Sequence, residues 1–122
     1  MLNLAFAAMS VPAPCTISGT LTTTAAPSGG IVASTSRTIG KPAGNSGAIN
    51  FISFSFSGTV TTDYRKNAGA WTGVTDGTSV TFADGDSLEV RGSGMTAGES
   101  WTFTLQDNAR MTNIGTYTIT AS

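Results

Sequence analysis

The chain has no histidine, a single cysteine and few charged side chains, and each shortage excludes a class of function. Without histidine there is neither the usual general base of a catalytic triad nor the commonest zinc ligand. One cysteine, Cys15, cannot form an internal disulfide, so packing alone must hold the core together. Charged residues are only 11% of the 122 residues, and the net charge is −1. The polar surface must therefore consist mostly of hydroxyl and amide groups.

The distribution of basic and apolar residues argues against nucleic-acid and membrane partners. The six basic residues are scattered, and only Arg65 and Lys66 are adjacent. Binding to a phosphate backbone draws on clustered Lys and Arg, so we expect no nucleic-acid partner. No run approaches the ~18 apolar residues of a membrane-spanning helix, so we expect no membrane span. The apolar N-terminus also lacks the basic residues that begin a signal peptide.

The acidic and hydroxyl residues form no recognisable catalytic or metal-binding motif. Asp84, Asp86 and Glu89 offer oxygen ligands of the kind that calcium prefers, but the rest of a calcium loop is missing. A tight turn at Gly85 explains the same residues more simply. No Gly-x-Ser-x-Gly motif is present, and no inserted cleft brings two carboxylates together for glycoside hydrolysis. We therefore predict no enzymatic activity, no catalytic residue, no cofactor and no metal site.

Alternation of apolar and polar residues predicts an all-β domain over residues 16–122. Large apolar residues alternate with serines at 52–57 and with threonines at 101–105, which is typical of strands with one buried face. Residues 31–39 fit a further strand, and roughly seven to nine short strands in all indicate an antiparallel sandwich. No stretch has the period of a helix. The residues predicted to be buried are Phe54, Phe56, Trp101, Phe103 and Leu105, and those predicted to face outward are Ser53, Ser55, Thr102 and Thr104.

Residues 1–15 form a separate apolar segment, which we predict to be an extended N-terminal arm. Its large apolar side chains are those of Leu2, Leu4, Phe6 and Met9, and prolines follow at positions 12 and 14. Two interpretations stay open: a first strand packed on its own domain, or an arm that docks on a neighbouring subunit. Because exposed apolar side chains need a partner, we predict that these four residues make intermolecular contacts.

The two tryptophans lie in different contexts. Trp101 alternates with Phe103 and Leu105, which predicts a core position. Trp71 follows a turn at residues 67–69, and either it caps the end of the sheet or it forms, with Tyr64, an aromatic surface on which a sugar stacks.

The second half of the chain carries a family resemblance. Residues 63–72 are similar to a recurrent N-G-G-x-W hairpin, with Ala68 at the first glycine, and residues 84–91 are similar to x-G-D-x-V-x-V-R. An aromatic and threonine strand at 101–105 and a closing strand at 115–120 follow. This order resembles that of immunoglobulin-like domains in the virion proteins of tailed bacteriophages and in some bacterial surface proteins.

The resemblance implies an immunoglobulin-like β-sandwich in a structural virion protein. With the apolar arm, it favours a capsid decoration (cement) protein that forms homo-oligomers and binds other virion proteins, such as the major capsid or a tail protein. Its expected location is the virion, assembled in the host cytoplasm. The alternatives are a tail-tube or tail-decoration protein, and a carbohydrate-binding or adhesive surface module that makes weak carbohydrate contacts through Tyr64 and Trp71.

Overall fold

The structure is a computed structural model that describes residues 13–19 and 21–122. Its eleven strands form two sheets, and none of the described residues is helical, so the predicted all-β sandwich is confirmed. The strands are β1 (Thr16–Ile17), β2 (Thr23–Ala25), β3 (Val32–Ala33), β4 (Arg37–Gly40), β5 (Ala48–Ser57), β6 (Thr61–Lys66), β7 (Thr72–Gly73), β8 (Thr78–Thr81), β9 (Ser87–Ser93), β10 (Ser100–Asp107) and β11 (Thr112–Ala121).

The two sheets have different strand orders. The first sheet runs β1-β4-β9-β6-β7, and β3 also pairs with β9. The second sheet runs β2-β11-β10-β5-β8. β2 and β11 are parallel, whereas the other strand pairs are antiparallel. The long strands β5, β10 and β11 are therefore neighbours, and they form the central part of the second sheet.

Aromatic residues of β5 and β10 form the centre of the core. Trp101, Phe103 and Leu105 are fully buried, as predicted. The rings of Trp101 and Phe103 stack with centroids 4.3 Å apart, and Phe51 of β5 stacks on Phe103 at 5.9 Å. Burial of such rings stabilises a fold through both area and ring geometry, and β10 supplies two of these buried rings and Leu105.

The outer face of the second sheet is rich in threonine. Thr102 is partly exposed on this face, whereas Thr104, which was predicted to face outward, is buried, with 8% of its surface exposed. Their hydroxyls each lie 3.0 Å from a hydroxyl on β11, those of Thr118 and Thr116 respectively. These cross-strand pairs stabilise the β10–β11 register.

The predicted burial of β5 is wrong at its C-terminal end. Two residues, Ser53 and Phe54, lie opposite Phe103 alone, and Ser53 has a φ of 57°. This β-bulge reverses the alternation, so Phe51 points inward before it and Phe54 and Phe56 after it. Phe54 is only partly buried, and Phe56, which was predicted to be buried, is 48% exposed. The cause is that Phe56 lies beside an opening between the two sheets.

The single strand predicted at residues 31–39 is divided into β3 and β4, which both pair with β9. Ser34, between them, donates its N–H to the carbonyl of Val90 at 2.8 Å and accepts the N–H of Val90 on its hydroxyl at 3.0 Å. A side-chain oxygen thus replaces a backbone acceptor at this point, which interrupts the ladder between the two strands.

Candidate functional site

Residues 13–15, which we call the base of the N-terminal segment, are bound to the end of the sandwich at which β10 ends with Asp107. Cys15 is buried, with 1% of its surface exposed, and its N–H donates to Oδ2 of Asp107 at 2.8 Å. Asn45 donates its amide both to Asp107 at 2.8 Å and to the carbonyl of Ala13 at 3.0 Å. The predicted subunit-contact residues Leu2, Leu4, Phe6 and Met9 lie outside the described residues. The structure therefore shows where their segment joins the domain.

The pKa values of Asp107 and Cys15 are shifted in opposite directions at this junction. Burial favours the neutral form of Asp107, but the N–H of Cys15, the amide of Asn45 and the N–H of Arg110 outweigh it and lower the pKa of the carboxyl below its ordinary value. Burial, reinforced by the Asp107 carboxylate, raises the pKa of the Cys15 thiol to about 11. A buried thiol that stays protonated is a poor nucleophile, so Cys15 serves packing and anchorage.

An apolar groove opens at the other end of β5, between that strand and the β6–β7 hairpin. Its volume is about 540 Å³, and its apolar lining includes Phe54, Phe56, Val60 and Val74. Asp107 pairs with Ile49 at one end of the β5–β10 ladder, whereas the groove lies at the end where Trp101 pairs with Phe56. We call this feature the β5 groove; it lies far from the base of the N-terminal segment.

The β5 groove exists because β5 is longer than its outer neighbour. β8 pairs with β5 only as far as Phe51. Beyond that point the carboxylate of Asp76 accepts the N–H groups of Ser53 at 3.2 Å and Phe54 at 3.3 Å. In the ranges that the structure describes, no strand pairs with the outer edge of β5 at residues 55–57. An open strand edge therefore lies beside an apolar depression, an arrangement that can accept another strand.

Trp71 lies against a charged cluster on the outer face of the first sheet. The guanidinium carbons of Arg65 and Arg91 are 4.7 Å and 4.4 Å from the centroid of its ring. Arg65 pairs with Glu89 at 2.6 Å, and Arg91 pairs with Asp63 at 3.0 Å. Each cation–π contact of this kind contributes about 0.5–1 kcal/mol at an exposed site. The cluster fixes the β6–β7 hairpin to β9.

The two residues predicted to stack on a sugar are not brought together. Tyr64 packs toward the core, with its ring centroid 5.6 Å from that of Phe51. Its neighbours Asp63 and Arg65 point to the opposite face of β6, where Trp71 lies. Trp71 is partly exposed, but Tyr64 and Trp71 do not form one aromatic surface.

Asp84 and Asp86, which the sequence analysis assigned to a tight turn at Gly85 rather than to a calcium site, accept hydrogen bonds at that turn, and Glu89 pairs with Arg65. Asp84 accepts the N–H of Lys41 at 2.8 Å, and Asp86 accepts the N–H of Ala83 at 2.8 Å and the amide of Asn67 at 2.9 Å. The amide of Asn67, followed by the N–H of Ala83, lowers the pKa of Asp86. Within residues 13–19 and 21–122, no group of three or more His, Cys, Asp or Glu side chains is placed to hold a metal ion.

The groove-lining residues Val60, Val74 and Asp76 were not singled out from the sequence. One sign of the groove is present in the sequence of β5: Phe51 and Ile52 are adjacent apolar residues within an otherwise alternating strand. Such a break in phase indicates a bulge. It does not reveal that the partner strand β8 ends there, which is a property of the tertiary arrangement.

No protein-family model matches the chain, and comparison with curated proteins and with solved structures finds no match either. Among the described residues no helix is long and apolar enough to cross a membrane. The fold and its surfaces define a β-sandwich in which residues 13–15 are anchored at one end and an open apolar groove lies at the other.

Proposed function

We propose that this chain is a structural protein of a tailed-bacteriophage virion, and specifically a capsid decoration (cement) protein present in many copies. The observation that carries the proposal is the junction at Asp107, which holds the base of a segment that contains Leu2, Leu4, Phe6 and Met9. If those side chains are buried on a neighbouring subunit, they contribute on the order of 6–10 kcal/mol before ordering costs are subtracted.

The strand order supports the immunoglobulin-like part of the proposal. Immunoglobulin-like sandwiches place strands A, B, E and D in one sheet and strands G, F and C in the other. Here β1-β4-β9-β6 occupies the first set of positions and β11-β10-β5 the second. The parallel pairing of β2 with β11 adds an edge strand beside the position of strand G.

The chemistry of the surface supports a structural role. The chain carries few charges, and the acidic side chains that attract attention in the sequence cap turns or form ion pairs. We propose no enzymatic activity and no cofactor for it. Tail-tube and tail-decoration proteins also assemble from many repeated copies that contact one another. The same features therefore suit a tail protein, which is the second candidate function.

The test is removal of the segment at the point that the structure indicates. Residues 13–122 keep Ala13 and Cys15, both of which bond to the domain, so this truncation removes only residues 1–12. Thermal melts of the full chain and of the truncated chain establish folding, and cosedimentation with phage particles that lack the protein measures attachment.

The proposal predicts that the truncated chain folds and that its attachment is weakened by at least tenfold. Equal attachment of the two chains would show that the segment does not dock. Failure of residues 13–122 to fold would show instead that the segment is the first strand of its own sandwich.

A further inference from the structure

We propose that the β5 groove binds the N-terminal segment, residues 1–9, of a second copy of this chain, added as a strand along the open edge of β5. The inference rests on the docking role proposed above for the segment, since it names the surface that receives it. Its test uses purified protein alone, so it can fail while attachment to a particle succeeds.

The chemistry of the groove matches that of the segment. Asp76 is the one charged residue among the described residues that line the groove, and its carboxylate already accepts two backbone N–H groups. The first nine residues of the chain contain no charged side chain. An apolar groove of about 540 Å³ also lies within the range of roughly 300–1,000 Å³ that is usual for sites that bury a ligand.

The pattern of the segment matches that of an added strand. Leu2, Leu4 and Phe6 alternate with smaller or polar residues, so in an extended chain these three side chains share one face. Phe54 and Phe56 line the groove with the same two-residue spacing, about 6.6 Å along a strand. In strand addition the backbone pairs with the open edge while alternate side chains fill pockets, and the groove provides both features.

The reach of the chain favours a second copy over the same copy. Ala13 is held beside Asp107, whereas the groove lies near Trp101, which is six positions back along β10 (107 − 101), or about 20 Å. The groove also lies on the side of β7 and β8, across the sandwich from β1. If the segment docked in the groove of its own chain, roughly seven residues before Ala13 would be needed to cover the distance from Ala13 to the groove. Phe6 and Met9 would then belong to the connecting stretch and would not reach the groove. In the groove of a second copy, Leu2, Leu4 and Phe6 can all be placed together.

Sedimentation equilibrium of full-length variants tests the docking. Phe56→Asp changes the groove and Leu4→Asp changes the segment. Met111→Asp is the matched control, because Phe56 and Met111 are the large apolar residues that are exposed, at 48% and 67%, in the part of the chain that the structure describes. We expect the unmodified chain to self-associate, each of the first two variants to weaken association at least tenfold, and the control to behave as the unmodified chain. A monomeric unmodified chain, or equal association of all four proteins, overturns the proposal.

Crosslinking distinguishes the second copy from the same copy. Chains with Leu4→Cys are mixed with differently tagged chains that carry Thr75→Cys, at the exposed rim of the groove, or Asn108→Cys, at the exposed opposite end of the sandwich. We expect a disulfide between chains in several-fold higher yield with Thr75→Cys than with Asn108→Cys. Equal yields overturn the proposal. A doubly substituted Leu4→Cys, Thr75→Cys chain that closes only on itself, at every concentration, also overturns it.

Discussion

The backbone N–H of Cys15 donates to Oδ2 of Asp107 at 2.8 Å, and this bond joins residues 92 positions apart in sequence. Asp107 is fully buried and receives two further hydrogen bonds, from Asn45 and from the N–H of Arg110. The carboxylate thus links the start of the domain, the loop before β5 and the turn after β10. Its loss should affect both stability and the position of the N-terminal segment.

Asp107→Asn should lower the free energy of unfolding by about 2–3 kcal/mol. A neutral amide accepts weaker hydrogen bonds than a carboxylate, and its NH2 group, which can only donate, would face a backbone N–H that is also a donor. Chemical denaturation measures the change. The matched control is Asp84→Asn at an exposed turn, where the carboxylate accepts the N–H of Lys41, and where we expect a loss below about 1 kcal/mol. Equal losses in the two variants would contradict the anchoring role.

Acid should destabilise the fold. The pKa of Asp86 is lowered by the amide of Asn67, that of Glu99 by the N–H of Thr96, and that of Asp107 by bonds that outweigh its burial. A carboxyl with a lowered pKa in the folded state contributes its full stabilisation above its unfolded pKa, about 4, and loses it as the pH falls further. Melting temperatures should therefore be constant near pH 5–7 and decline below about pH 4. A melting temperature that does not change down to pH 3 would contradict these shifts.

The opening beside Phe56 predicts unequal effects from two phenylalanine substitutions. Phe103→Ala should lower the free energy of unfolding by roughly 3–5 kcal/mol, because Phe103 is fully buried and contacts several rings. Phe56→Ala, at 48% exposure, should cost less than about 1.5 kcal/mol in an isolated chain. Urea denaturation of both variants compares the losses, and a larger loss for Phe56→Ala would show that Phe56 is covered rather than exposed in the β5 groove.

The turn after β6 contains a strained alanine that glycine should relieve. Ala68 has a φ of 56°, in the left-handed region, at the position where the similar hairpin motif has glycine. That conformation costs a residue with a side chain about 1–2 kcal/mol, part of which the greater flexibility of unfolded glycine offsets. Ala68→Gly should raise the free energy of unfolding by about 0.5–1 kcal/mol. Ala70→Gly, exposed and without a positive φ, is the control, and it should be neutral or destabilising.

The strands that could be predicted are those in which local pattern and tertiary position agree. The strand at residues 101–105 alternates without interruption and is paired on both sides, so its buried face follows from the sequence. In β5 the alternation places Phe54 and Phe56 on the inward face, but it does not show that an opening lies beside them, so Phe56 is exposed. Periodicity reports which residues share a face, but it does not report whether anything covers that face.

The candidate site was less predictable than the fold, since its parts come from distant segments. The β5 groove depends on Asp76 capping the edge of β5 and on β8 ending at its pairing with Phe51. The Trp71 ring is placed by two arginines on different strands, which no local motif encodes. The sequence did show that residues 1–9 are apolar. The structure adds that residues 13–15 are anchored to the domain and that an apolar groove lies beside an open strand edge.

The central claim is that this chain is a repeated structural component of a virion, and cryo-electron microscopy of the native, gradient-purified phage particle tests it most directly. The account predicts copies of a two-sheet sandwich at symmetry-equivalent positions on the outer shell, each with its N-terminal segment in contact with a neighbouring subunit. Copies on the tail would move the protein to the second location proposed. A particle map with no density for the sandwich, together with absence of the chain from the particle by mass spectrometry, would contradict the account.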